Sequence, residues 1–299
     1  MIYRMTLAAT LSAALLGTSI TANSQQNVAA GVSSAAYTAP DEAWRTVDPE
    51  NLMIIETKYG AIGVELYPEI APNHVKQIKA LTRQGFYDDV PFHRVIKGFM
   101  NQTGDGSKGD GTGDSDLPDI PPEFEFKRTA DMAFHAIRKV KIGQSNIGVG
   151  FYKALPIASQ PTVDSFITKV DSVEAFGLHC KGVTSMARTS DPTSANSQFF
   201  LMRAKAERLN KTYSIWGSTV MGHEYLDKPL IGTIGETPDW IPDRMDKVRI
   251  AADMPENERP NVQVLRAEHA AFKGWLETQK KADGTLPEVC DLSVPTRKF

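Results

Sequence analysis

Only two cysteines, Cys180 and Cys290, occur in 299 residues, and neither sits in a zinc-like spacing. They admit a single disulfide or two separate thiols, and one sequence cannot show whether they meet in space. No long run of Lys or Arg is present, and a net charge of −3 gives no bulk attraction to nucleic acid or acidic membrane surfaces. A Gly-x-Ser-x-Gly elbow, a His-Glu-x-x-His helix and histidines paired at metal spacing are all missing, which removes the best-marked hydrolase and metalloprotease chemistries. What remains is an ordinary globular composition, with 41% apolar and 23% charged residues.

The one long apolar run lies at the start. Arg4 supplies a short positive region, Met5 to Ile20 is apolar, and Ala22-Asn23-Ser24 offers small side chains for a peptidase. This pattern reads as a secretory signal peptide over 1–24, too short and too quickly polar for a membrane span, with a periplasmic or secreted destination. Residues 25–48, rich in Ala, Ser, Gln and Asn, read as a linker.

Structure is expected from about Asn51. Leu52 to Thr57 and Ala61 to Leu66 are β-rich runs joined at Lys58-Tyr59-Gly60, with Ile62, Val64 and Leu66 on a common core face. Pro72 opens a helix carrying Val75, Ile78, Leu81 and Thr82 at helical spacing, with Gly85 beyond its end. His74, in its first turn, is expected to be exposed or capping. Pro121 to Phe126 reads as a strand. The segment of about 127–178 reads as an insertion with its own secondary structure, including an amphipathic helix through Val163, Phe166, Ile167, Val170 and Val173. Short strands return at 182–187, 198–202, 213–217 and 248–252, and 263–279 could form a helix outside the main body. Many short strands and few helices point to a closed antiparallel barrel.

The stretch Phe86 to Asp105 sets one arginine, Arg94, in an apolar alternating run, then turns at Gly98 into Phe99-Met100-Asn101-Gln102. Alternation puts His93 on the opposite face and gives Arg94 the neighbours Phe92, Phe99, Gln102 and Phe200. The Gly/Asp-rich loop after Asp105 lacks a phosphate-loop ending, and neither Asp105 nor Asp110 as a first calcium ligand places glycine sixth. It is read as a shaped loop beside a groove. An apolar pocket next to one guanidinium suits holding a ring while a donor addresses a polar atom beside it.

Phe92-His93-Arg94-Val95-Ile96-x-Gly98-Phe99-Met100-x-Gln102-x-Gly104-Asp105 closely resembles the signature of cyclophilin-type peptidyl-prolyl cis-trans isomerases. Ser185-Met186-Ala187 and Asn196-Ser197-Gln198-Phe199-Phe200-Leu201 resemble it too, in the same order. The resemblance covers about 49–255 and leaves out the insertion and a C-terminal extension at 256–299. It implies a mainly β fold: a closed eight-stranded antiparallel β-barrel capped by two helices, with the substrate groove on its outer wall.

By the same resemblance Arg94 is the catalytic arginine, and Phe99, Met100, Gln102 and Phe200 line a proline pocket. Gln198 and Gly111 border it, Ala187 and Arg188 receive the residue before proline, and Leu209 and Tyr213 complete the wall. Proline-containing polypeptides are the implied partners of a monomer, with no cofactor, no metal and no nucleic acid. A noncatalytic proline-peptide-binding chaperone is the alternative. Arg208 falls where cyclosporin-sensitive members carry Trp, so weak cyclosporin inhibition is expected.

Overall fold

The computed structural model describes residues 37–142, 145–164 and 170–299. The proposed signal peptide lies outside these residues, as do Phe166 and Ile167 of the expected insertion helix. In chain order the strands begin with β1 (Trp44–Thr46), β2 (Leu52–Thr57) and β3 (Gly60–Leu66), followed by helix α1 (Pro72–Arg83). Next come β4 (Val90–Pro91), β5 (Arg94–Ile96) and β6 (Met100–Thr103). The inserted strands are β7 (Phe126–Thr129), β8 (Phe134–Ile142), β9 (Ser145–Tyr152), β10 (Leu155–Ser159) and β11 (Ser172–Gly177). The main body resumes with β12 (Val183–Met186), β13 (Phe199–Met202), β14 (Ile215–Met221), β15 (Gly232–Thr233), β16 (Arg244–Met245) and β17 (Lys247–Ile250). The chain ends in β18 (Val262–Leu265), α2 (Ala270–Thr278) and β19 (Thr296–Lys298).

Nine strands form the main sheet in the order β15-β5-β6-β13-β12-β14-β3-β2-β17. The mainly β expectation holds, but the sheet is a half-barrel, and its end strands are not hydrogen-bonded to each other. Pro91 brings no N–H to that junction, and β4 pairs only with β16 as a separate two-stranded ribbon. Period-2 alternation splits the sheet's apolar residues into two clusters. One face carries Ile55, Ile62, Val64, Val95, Phe199, Leu201 and Trp216, closed over by Val75, Ile78 and Leu81 of α1. The other carries Leu52, Ile54, Met100, Phe200, Met202 and Ile215.

That second face is clothed by the parts outside the main body. The insertion is a five-stranded antiparallel sheet, β7-β11-β10-β9-β8, and β1, β18 and β19 form a third sheet. Several expectations are corrected here. Val173 lies in β11 rather than a helix, while Val163 and Val170 are 57% and 51% exposed, so the spacing does not mark a packed face. Residues 121–125 precede the strand that was expected to contain them, and β7 starts only at Phe126. The stretch read as a linker already contains structure: Trp44 is buried and β1 pairs with β18. Helix α2 is shorter than 263–279, because Val262–Leu265 pairs with both β1 and β19. It does not cap the half-barrel; Phe272 and Trp275 pack on Phe151 of the inserted sheet, with ring centroids 6.0 and 6.3 Å away.

Helix α1 begins at Pro72 as expected, but its end is closed by a distant residue. The Glu123 carboxylate accepts from the backbone N–H groups of Asn73 and His74 at 3.1 and 3.2 Å, satisfying donors that a helix start leaves unpaired. It also meets His74 Nδ1 at 2.6 Å, so His74 is fully buried rather than exposed.

Candidate active site

Strand register assembles the site. Arg94 pairs with Gln102 across β5 and β6, Gln102 with Phe200 across β6 and β13, and Phe200 with Ser185 across β13 and β12. Directly opposed residues share a face, so Arg94, Gln102 and Phe200 stand in one row on the outer side of the half-barrel. Met100 lies two residues from Gln102 on the same face, and Phe99 packs against the same apolar cluster. The tight turn between β5 and β6 uses Gly98 at φ +65°, a conformation open to glycine at little cost.

A chain of side chains holds the row. Arg94 Nη1 donates to Gln102 Oε1 at 3.2 Å, and Gln102 Nε2 donates to Gln198 Oε1 at 3.2 Å. Gln198 Nε2 then donates to the carbonyls of Gly111 and Gly113 at 3.0 and 2.9 Å. Because a guanidinium can only donate, it dictates the orientation of both amides in turn. The loop at the far end is built on Asp105, whose buried carboxylate accepts from the backbone N–H groups of Lys108, Gly111 and Gly113, each at 2.9 Å. Burial pushes this carboxyl up, but those backbone donors win and hold it well below the usual range. Gly111 adopts φ +91° and leaves no room for a side chain, since a Cβ would come within 2.9 Å of His93.

His93 is buried beneath this loop, with burial lowering its pKa. Phe92 does not join Arg94's face. The strand is interrupted at residues 92–93, where Phe92 N–H bonds the Asp243 carbonyl and its ring enters the inner cluster.

The remaining expected residues close the other wall. The rings of Phe200 and Tyr213 meet edge-on at 5.7 Å, and Leu209 is buried in the 3-10 turn Glu207–Leu209. Ala187 N–H donates to the Gln198 carbonyl at 2.8 Å. The Arg188 guanidinium turns onto Tyr213, 4.4 Å from the ring centre, and donates to the Thr212 carbonyl. It therefore braces the wall. Arg208 lies 4.4 Å from the Phe99 ring centre.

One residue escaped the sequence reading. His179 lies under the pocket wall, its ring stacked 6.3 Å from Phe200, with Nδ1 3.1 Å from Asn210 Oδ1 and Nε2 3.2 Å from Ser185 Oγ. Burial pushes its pKa down to about 4, against the Asn210 bond, so it is neutral near pH 7. Only its place beside Cys180 could have drawn attention to it. Among the described residues no group of three or more His, Cys, Asp or Glu side chains could hold a metal ion.

Comparison with known proteins places this arrangement. The family model described as cyclophilin type peptidyl-prolyl cis-trans isomerase/CLD matches residues 52–250. A protein of Brucella suis named probable peptidyl-prolyl cis-trans isomerase is 35% identical over 217 residues, covering 69% of this chain and 85% of its own. Its counterpart in Brucella abortus is 34% identical over the same length. A crystal structure of a cyclophilin from Hirschia baltica superposes with a TM-score of 0.76 at 36% identity, covering 88% of this chain and 98% of that one.

Proposed function

Because the chain belongs to the cyclophilin-type peptidyl-prolyl cis-trans isomerases, we propose that it rotates X-Pro bonds of exported polypeptides, with Arg94 as the catalytic group. The observation that carries this reading is the row Arg94–Gln102–Phe200, a guanidinium fixed beside aromatic surface. The peptide bond resists rotation by roughly 18–20 kcal/mol because the nitrogen lone pair is delocalised into the carbonyl. In the twisted transition state that pair localises on the proline nitrogen and accepts a hydrogen bond.

Arg94 has donors beyond the one given to Gln102, and a donor at the proline nitrogen binds the twisted state better than either planar isomer. Phe99, Met100, Phe200, Leu209 and Tyr213 would hold the proline ring meanwhile. No bond to the enzyme forms and no proton is moved. The signal-like N-terminus supports exported clients and a periplasmic or secreted location.

In a protease-coupled peptide assay, Arg94→Ala should lower kcat/KM by about a hundredfold or more while the far-UV circular dichroism stays unchanged. Unchanged turnover would remove Arg94 from the mechanism. Wild-type chain that binds proline peptides without turning them over would favour the chaperone reading instead.

A further inference from the structure

Among the described residues, a cavity lies outside the proline pocket. It encloses about 620 Å³, well inside the range of ligand sites, between the inserted sheet, the 205–211 turn and residues 288–290. Its floor follows from strand register: Val149, Ala158 and Phe176 stand opposite one another across β9, β10 and β11, with Arg138 of β8 at the edge of the row. Ile147 lies two residues before Val149, on the same face, and Phe151 two residues after it. At the Phe151 end this face is covered by Phe272 and Trp275 of α2. At the Ile147 end it faces the cavity.

The rim is charged, yet its charges are mutually satisfied. Arg138 pairs with Glu288, Glu174 with Lys127, and Lys211 with Glu125 at 2.7 Å. An apolar floor inside a neutralised rim favours an uncharged apolar occupant. The cavity also adjoins the Arg94 groove: His179 and Asn210 line it, and the same His179 ring stacks on Phe200. The stacked rings of Phe200 and His179 lie between the two spaces.

We propose that this cavity is a second client-binding site, taking uncharged apolar side chains of the polypeptide whose proline occupies the Arg94 groove. It rests on the reading of that groove as the proline site. With these two stacked rings between them, the apolar residues fall two to four positions from the proline, about 7–14 Å of extended chain. The structure thus selects clients by an apolar segment flanking the X-Pro bond.

The test uses the full chain and a series of peptides with one Ala-Pro core. Flanks at two to four positions on either side are Leu-Val-Leu, Ser-Gly-Ser or Lys-Glu-Lys. Turnover is read by NMR exchange, and affinity by fluorescence anisotropy on the same peptides. A Leu-Val-Leu flank on one side should raise both kcat/KM and affinity by about tenfold over the other two. Val149→Asn on the floor, and Ser145→Trp at the exposed mouth, should each erase that preference while leaving kcat/KM on the unflanked core unchanged.

The Ser145→Trp variant guards against a folding defect at Val149. Equal turnover and affinity for all flanks, or a preference that survives both variants, would overturn the second site while leaving the isomerase intact. Absence of turnover on every peptide would instead overturn the reading of the Arg94 groove, and the anisotropy data would still judge the cavity.

Discussion

Arg94 keeps its charge half-exposed, so the fold does not bear the full desolvation of a guanidinium, and its partner Gln102 is neutral. His179 is the opposite case: fully buried, neutral and hydrogen-bonded on both ring nitrogens' sides. That difference has a pH signature. Burial holds His179 at about 4 when folded, against an ordinary value of 6.5, and burial lowers His93 in the same direction. Between those limits the unfolded chain binds more protons than the folded one, so stability is full above about 6.5 and is lost as pH falls toward 4. Carboxylates with lowered values, such as Glu69 and Glu123, contribute fully above their ordinary 4.5 and lose that stability only as pH falls below it. That leaves the interval above to the lowered histidines, His179, His93 and His223 among them. Urea unfolding at pH 7.0 and 4.5 should differ by about 2 kcal/mol from His179 alone, and His179→Asn should reduce the slope. Equal midpoints at the two pH values would contradict this account of the pocket wall.

Among elements, what the sequence made legible was local. The β2–β3 hairpin and α1 follow from alternation, a first-turn proline and a terminal glycine, each acting within a few residues. The residues of the candidate site were singled out by the motifs that carry them, and the structure puts Arg94, Gln102 and Phe200 in one row. The insertion was only partly legible: the chain is helical at Val163–Asp164, but Val163 and Val170 are exposed, and Val173 is buried in β11 through strand partners far along the chain. β1 was missed because three residues carry too little periodicity. What anchors it is Arg45, which forks onto Glu65 of β3 at 2.6 and 2.7 Å, with Tyr67 donating to the same carboxylate at 3.2 Å. Glu65 is only 3% exposed, so Glu65→Ala leaves a mostly buried guanidinium uncompensated and should cost about 3–5 kcal/mol. The double variant Arg45→Met, Glu65→Leu should recover most of the lost thermal midpoint in calorimetry. A single variant as stable as wild type would mean that β1 is held by apolar packing alone.

At the scale of the molecule, the outer face of the half-barrel bears both the candidate site and the shell formed by β1, the insertion and the C-terminal extension. Phe200 and Leu209 belong to the same apolar cluster as Phe151, Phe272 and Val289, so pocket and shell form one packed unit. Of the two states open to the cysteines, the structure shows the disulfide: Cys180 and Cys290 are bonded across 110 residues of chain, with Cα atoms 4.8 Å apart. A cross-link closing so long a loop restricts the unfolded chain strongly, and removing it should lower stability by about 2–5 kcal/mol. The Arg94 row, however, rests on hydrogen-bonded strands of the main sheet and does not depend on that bond. Cys290→Ser should therefore lower the denaturant midpoint while kcat/KM on a short proline peptide, measured well below that midpoint, stays within about twofold. Reduction of the wild-type chain should reproduce both results. A loss of short-peptide activity in step with reduction would show instead that the tail holds His179, and through it Phe200, in its working position.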